Sequence, residues 1–283
     1  MKLPFFIVAA AALPLSLTAA AQSTSELASA LTLHASFDKE LNADFSHGDR
    51  ACYVRRGKEI VPAEPGDEAK VAPSGGRFGG ALWFPKKGTT RPLFKGPGVL
   101  NYNAQSWSAT VSLWLRLDPD GDLEPGYCDP VSIIGDDSKK GFIFLEWSKD
   151  MPRRFRYAIR PLFHIWNPTD VPWDEIPIEK RPMVQLEKSP FTREKWTHVA
   201  FTVDHVNDKT AKPLGRLYID GQPRGAIENW DLTFAWDPAA VQLVLGASYV
   251  GYLDDLAVFN RALTDAEVRQ VFQLKGGIAD LKR

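Results

Sequence analysis

The chain is poor in cysteine, shows no excess of charge of either sign and, beyond its first two dozen residues, has no apolar run long enough to cross a membrane. Each shortage excludes something. Cys52 and Cys128 are the only cysteines among 283 residues, so a disulfide-dense scaffold is out of reach. The count permits one disulfide, and two buried free thiols are the alternative. Lysine and arginine total 34 against 35 aspartates and glutamates, a formal net charge of −1. The basic residues are spread along the chain, so there is no electrostatic footprint for nucleic acid or an anionic membrane. Metal-ligand spacing of the H-E-x-x-H kind is absent, as are serine nucleophile elbows. "GRFGGA" has the glycines of a phosphate loop without its lysine or its strand-to-helix setting. Helical periodicity is missing before residue 263.

What is present begins with "MKLPFFIVAAAALPLSLTAAAQ". One lysine, a short alanine-rich apolar run and Ala19-x-Ala21 have the layout of a secretory signal peptide cleaved after about Ala21. An uncleaved anchor is the alternative, although a spanning helix needs roughly 20 apolar residues. Export to the periplasm, cell surface or medium is therefore expected, with no transmembrane segment in the mature chain. About 260 residues remain, within the range of a single all-β domain.

From Leu31 onward the pattern alternates. Leu31, Leu33, Ala35 and Phe37 fall on one face, with Thr32, His34, Ser36 and Asp38 on the other. The same period of two recurs in "ALWF", "SATVSLWLR", "FIFLEW", "WTHVAFTVD", "GRLYIDG" and "VQLVLGA", which predicts half-buried strands. Clusters such as "PSGGRFGG", "DPDGD" and "DGQPRG" supply turns between them. Short strands punctuated in this way point to an antiparallel sandwich or barrel. One short helix closes the chain: Thr264 and Glu267 form a capping box, and Val268, Val271 and Phe272 share a face. Two stretches break the rhythm. Residues 50 to 75 read as a long surface loop or a hairpin, and residues 148 to 192, rich in proline and tryptophan, read as an insertion. Long loops in compact domains are more often functional than idle.

In their order, "FDKELNADFSHGD", "GRFGGALWF", "WSATVSLWLRL", "WTHVAFTVD", "GRLYIDGQ" and "GYLDDLAVFNRALTDAEVRQVF" resemble the laminin G-like, concanavalin A-like jelly-roll domains of secreted bacterial proteins. The resemblance runs from about residue 31 to 274. It implies an all-β fold, an antiparallel two-sheet jelly-roll β-sandwich; outside it the chain divides into residues 1–21 as signal peptide, 22–30 as linker and 275–283 as tail. The superfamily includes lectins, pentraxins, adhesion modules and glycoside hydrolases, so the fold alone does not deliver a function.

The resemblance also implies a structural calcium ion where the first strand, its following loop and the last strand meet. The matching positions are Asp38, Asp44, Ser46 and Asp254, with Asp38 and Asp254 as the main oxygen donors and Asp44 as a further one. Adjacent aspartates on a strand point to opposite faces, so one of Asp254 and Asp255 is expected to lean inward. An inward carboxylate needs a cation or hydrogen bonds, and those bonds from the "NADFSHG" turn are the metal-free alternative.

Trp166 and Trp173 lie in the insertion beside Asn167, Asp170 and Asp174. An aromatic plane next to amide and carboxylate groups suits a sugar, and pinning of the loop onto the sheet is the plainer reading. Trp83, Trp107, Trp114 and Trp196 read as packing, as does His198. No catalytic residues are assigned. The E-x-D-x-x-E strand motif of the superfamily's hydrolases is missing, and neither Glu146 with Asp150 nor Glu228 with Asp231 keeps the spacing that puts two carboxylates on one face. For a polysaccharide lyase, Tyr157, Arg160 and His164 are close in sequence without forming a motif. The expectation is a secreted, non-catalytic, lectin-like module for carbohydrate or glycoprotein. A glycoside hydrolase or polysaccharide lyase, and an adhesive surface protein with protein partners, are the alternatives.

Overall fold

The computed structural model describes residues 24–64 and 67–282, so the signal-like segment lies outside the described residues. The alternating segments form two antiparallel sheets over one apolar core. The first sheet has nine strands. Its hydrogen-bonded order is β15 (Gln222–Ile227), β14 (Leu214–Ile219), β13 (Thr197–Val206), β8 (Trp107–Arg116), β17 (Gly251–Phe259), β1 (Leu31–Ala35) and β2 (Phe45–Ser46). Beside the start of β17 lies β6 (Ala81–Phe84), which in turn pairs with β5 (Lys70–Ala72). The second sheet has eight strands: β12 (Met183–Gln185), β11 (Phe155–Arg160), β10 (Phe142–Trp147), β9 (Cys128–Ile134), β16 (Gln242–Ala247), β7 (Pro92–Lys95), β3 (Tyr53–Arg56) and β4 (Glu59–Pro62).

The two-residue period sorts the side chains. Val111, Leu113 and Leu115 of β8, Ile143, Leu145 and Trp147 of β10, and Phe155, Tyr157 and Ile159 of β11 all enter the core between the sheets. Their alternates, Ser112, Trp114, Phe144, Glu146, Arg156 and Arg160 among them, stand on the outer faces. Cys52 and Cys128 are buried free thiols, so the disulfide permitted by count is not formed. Burial pushes them up to about 12 and about 11.

The first sheet's outer face carries an apolar cover. Leu31, Ala200, Tyr218, Ala257 and Phe259 meet Leu27 and Ala30 from below the N-terminus, and Leu263, Val268, Val271, Ile278 and Leu281 from the C-terminus. Residues 24–30, expected as linker, are helical, because Leu27 and Ala30 have a face to bury even though one short segment shows no readable period. The closing helix, Asp265–Gln273, carries its capping box: the Thr264 hydroxyl accepts from the Glu267 amide and the Glu267 carboxylate accepts from the Thr264 amide. The tail continues as a 3-10 helix, Gly277–Lys282.

Both irregular stretches contain strands. Residues 53–62 form the β3–β4 hairpin, turning at Gly57 with φ 62°. The expected insertion at 148–192 includes β11 and β12, which leaves 161–182, with short helical turns at Phe163–Trp166, Trp173–Glu175 and Ile178–Lys180, as its longest stretch without a strand. Prolines at 152 and 161 hide the alternation of "FRYAIR" from a reading that weighs turn residues heavily.

Candidate functional site

Two regions gather functional groups. The first is the corner where β1, the glycine loop 75–80 and β17 meet. Asp254 is fully buried and Asp255 nearly so, so neither reaches solvent, although a regular strand predicts that one of the two reaches solvent or a loop. The reason is a bulge: pairing of β17 with β8 shifts between Asp254 and Ala257, and Asp255 sits at φ 51°. Asp255 bonds the His34 Nε2 at 2.8 Å and accepts from the Ile278 amide at 3.0 Å, tying the C-terminal turn to β1. Asp254 Oδ2 accepts from the amides of Arg77 and Phe78 at 2.5 and 2.9 Å. Its Oδ1 is buried with no well-aligned hydrogen bond. Burial pushes this carboxyl up to about 7, against the Phe78 amide, and the neighbouring Asp255 charge adds to the rise.

The loop holding Asp254 is "GGRFGG" and not the "NADFSHG" turn. Asp38 joins from the other side, its Oδ1 accepting from the Gly80 amide at 2.7 Å. A side chain on Gly79 would run into the Asp38 carboxylate, so the glycines are what let the loop reach both aspartates. Asp44 turns elsewhere and accepts from the Ser36 amide at 2.7 Å. Among the described residues no three His, Cys, Asp or Glu side chains gather as a metal site. A buried carboxylate oxygen without a well-aligned hydrogen bond, on a glycine loop that also bonds Asp38, is chemistry that a hard cation accepts, with backbone carbonyls needed to complete its shell.

The second region is the outer face of the second sheet. Register sets Arg160 opposite Phe142, Ala158 opposite Phe144 and Arg156 opposite Glu146. Arg156 donates to Glu146 at 3.1 Å and to Gln185 at 2.8 Å. Burial pushes Glu146 up to about 7, opposed by Arg156. Asp129, on the neighbouring β9, is raised well above the usual carboxylate range by desolvation and then by the Glu146 charge. The sequence gives no hint of this pair, because the two carboxylates come from different strands and meet only through pairing.

The 161–182 segment folds over one half of this face. Trp166 and Asn167 are buried, Trp173 is half-buried, and Asp170 and Asp174 are exposed. The Arg160 guanidinium lies 4.5 Å from the Trp166 ring and 5.2 Å from that of Trp173, with Phe142 and Phe144 at 5.5 and 5.9 Å. Asn167 braces its own turn through Val171, accepting at 3.0 Å and donating at 2.8 Å. Asp170 occupies a left-handed turn position, φ 52°. Asp174 accepts from Lys149 at 2.5 Å and from the Tyr127 hydroxyl. A cleft of about 540 Å³ opens at this edge between Asp174, Tyr127, Lys149 and Arg181. A smaller one, about 220 Å³, opens on the uncovered half beside Arg55, Arg91 and Gln242.

The trio close in sequence is split by the pleat: Tyr157 enters the core and donates to the Thr202 carbonyl at 2.7 Å, while Arg160 stands on the opposite face. Asp150, Glu228 and Asp231 are exposed and Glu146 is buried, so neither sequence-adjacent carboxylate pair assembles in one pocket. His198 is buried between Trp114 and Phe272, and burial lowers it to about 4.

A laminin G-type family model, described as the concanavalin A-like lectin/glucanases superfamily, matches residues 97–269. No curated protein matches the chain in sequence. Among solved structures it is similar to domain 4 of AbnA, a GH43 extracellular arabinanase from Geobacillus stearothermophilus in complex with arabinotriose. The TM-score is 0.52 at 20% identity, over 86% of this chain and 98% of that one. The botulinum neurotoxin serotype D ligand binding domain in complex with N-acetylneuraminic acid gives 0.57 at 14% identity, over 89% and 52%. Trypanosoma rangeli sialidase gives 0.54 at 16%, over 88% and 34%. The chain thus spans about half of the toxin domain and a third of the sialidase, and at these identities the likeness is one of fold.

Proposed function

The chain belongs to the concanavalin A-like lectin/glucanases superfamily, and on that premise we propose that it is a secreted, non-catalytic recognition module whose ligand is carbohydrate or glycoprotein. The observation that carries this reading is the outer face of the second sheet, where arginines, aromatic rings and Gln242 stand beside two clefts. Sugar rings offer an apolar face and a hydroxylated rim, and such a surface meets both. Two of the structural neighbours are complexes with sugars, arabinotriose and N-acetylneuraminic acid, which supports the reading by analogy of fold. We place a structural calcium ion at the corner, held by Asp38 and Asp254 with loop carbonyls and water. Asp44, bonded to Ser36, contributes by fixing the first strand's exit. A bound Ca²⁺ would supply the counter-charge that Asp254 lacks.

The test is a glycan array with the protein from Gln22 onward, in calcium and again in EDTA. Expected are selective glycan binding and a lower unfolding temperature in EDTA. A folded sample silent on the whole array would sink the recognition reading. An unfolding temperature indifferent to both calcium and EDTA would sink the calcium assignment alone. A second reading, a glycosidase, has one observation in its favour, the Glu146 and Asp129 pair on adjacent strands. Sugar release from a polysaccharide panel that disappears in Glu146→Gln would establish it.

A further inference from the structure

We propose that the outer face of the second sheet is built for an anionic sugar, with the Arg160 guanidinium as the group that pairs with a carboxylate or sulfate ester on the ligand. The inference rests on the recognition reading above and adds the charge of the ligand to it.

Arg160 is a desolvated cation that the Glu146 and Asp129 charges support at a distance and that no group bonds directly. A guanidinium carries five N–H donors in a fixed fork. Among the described residues Arg160 makes no hydrogen bond and no ion pair, and its Nε is buried without an acceptor. The four rings around it offset part of this cost, since the face of an aromatic ring attracts a cation. None of them replaces an oxyanion, which would accept two parallel hydrogen bonds from the fork.

Neither carboxylate of this face fills that role. Glu146 is taken by Arg156 at 3.1 Å, and Asp129 acts on Arg160 through its charge without bonding the fork. Arg91 is exposed, as is Arg55, which reaches along the face to Gln242 at 3.2 Å. Four guanidinium groups, Arg55, Arg91, Arg156 and Arg160, therefore outnumber the two carboxyl groups of this face, Glu146 and Asp129, and Glu146 is engaged by Arg156. The pairing register also gives the surface a direction. Arg160, Phe142, Ile134 and Gln242 lie on one rung across four strands, a span of about 14 Å at the usual strand spacing. Donors at both ends and an apolar middle match an extended oligosaccharide that bears its charge at one end of the rung.

The experiment is calorimetric titration with two matched pairs: oligogalacturonate against its methyl ester, and a sulfated oligosaccharide against its desulfated form. At least a tenfold preference for the charged member of one pair is expected, and which pair shows it identifies carboxylate or sulfate as the anion. Arg160→Gln should abolish that ratio and Arg160→Lys should restore only part of it, because lysine keeps the charge and loses the fork. Arg160 also touches the rings of the insertion, so Arg91→Gln serves as a second variant on an exposed position. It should lower the same ratio a few-fold with an unchanged unfolding temperature. Equal binding of charged and neutral members, an undiminished ratio in folded Arg160→Gln, or equal binding of polyglutamate would overturn the inference while glycan recognition stands. Failure to bind any glycan on the array overturns both.

Discussion

The two sheets share one core, yet they treat their outer faces differently. Over the first, two terminal segments lay Leu27, Leu263, Val268, Val271 and Ile278 on Phe259, Tyr218 and Leu31, and the result is a second, smaller apolar core. Over the second, the irregular segment brings Trp166, Trp173 and Arg181 down onto Arg160 and Arg156, and half the face stays open. Apolar cover adds stability with every buried side chain. Buried guanidinium and carboxyl groups cost it unless they are paired. Sequences break local rules mostly where a site is being built, so the charged face is where function is to be sought.

The largest expected effect tests whether that contrast is real. Phe259→Ala removes a fully buried ring from the covered face and should cost about 3 to 5 kcal/mol in urea unfolding. Phe142→Ala removes a half-buried ring beside Arg160 and should cost about 1 kcal/mol, with its main consequence in ligand binding. Equal losses of stability would break the comparison, because the two faces would then be packed alike.

Glu146 sharpens it next. Its carboxyl is raised from 4.5 to about 7, so the folded protein holds this proton more tightly than the unfolded chain. The linked stability is full below about pH 4.5, falls as pH rises through 7 and is flat above, a loss of about 3 kcal/mol. Glu146→Gln should remove most of that slope in unfolding measurements between about pH 5 and pH 8. The groups facing it are Arg156, Arg160, Arg181, Asp129 and Tyr127. Asp129 is shifted in the same direction, so a residual slope persists. A wild-type slope matched by the variant would place the strain elsewhere.

How far all this could be read from sequence depends on how local the signal is. The alternation of "SATVSLWLR" and "WTHVAFTVD" and the Thr264–Glu267 box are properties of a few neighbouring residues, and the strands and the closing helix stand where they predict. The bulge at Asp255 left no such trace, since it arises from misfit between β17 and β8, so the paired aspartates were assigned to opposite faces. The glycines of "GRFGG" were legible as a turn, but that they wrap Asp38 and Asp254 is a fact of three segments meeting. The sequence sets Arg160 beside Tyr157 and His164, which the pleat and the following turn carry away from it. Its real surroundings, Phe142, Phe144, Trp166 and Trp173, lie on another strand and in the insertion, where only pairing register could have found them.

The smallest effect concerns how firmly the second face is covered. Asp174 anchors the edge of the irregular segment through Lys149 and Tyr127, an anchorage open to solvent in which Lys149 and then Tyr127 hold the carboxyl below the usual range. Exposed pairs of this kind contribute no more than about 1 kcal/mol. Asp174→Asn should therefore leave unfolding in urea almost unchanged, while amide exchange across residues 161–182 speeds up if this contact is what closes the edge. The covered sheet offers the control, because the C-terminal helix is held by Val268 and Val271 in an apolar layer and should exchange at the same rate in both proteins. Were exchange to quicken equally at both places, the variant would be acting on the whole fold. Were it to quicken at neither, the aromatic contacts around Arg160 would be sufficient to hold the segment, and the cover over the charged face would be as fixed as the one over the apolar face.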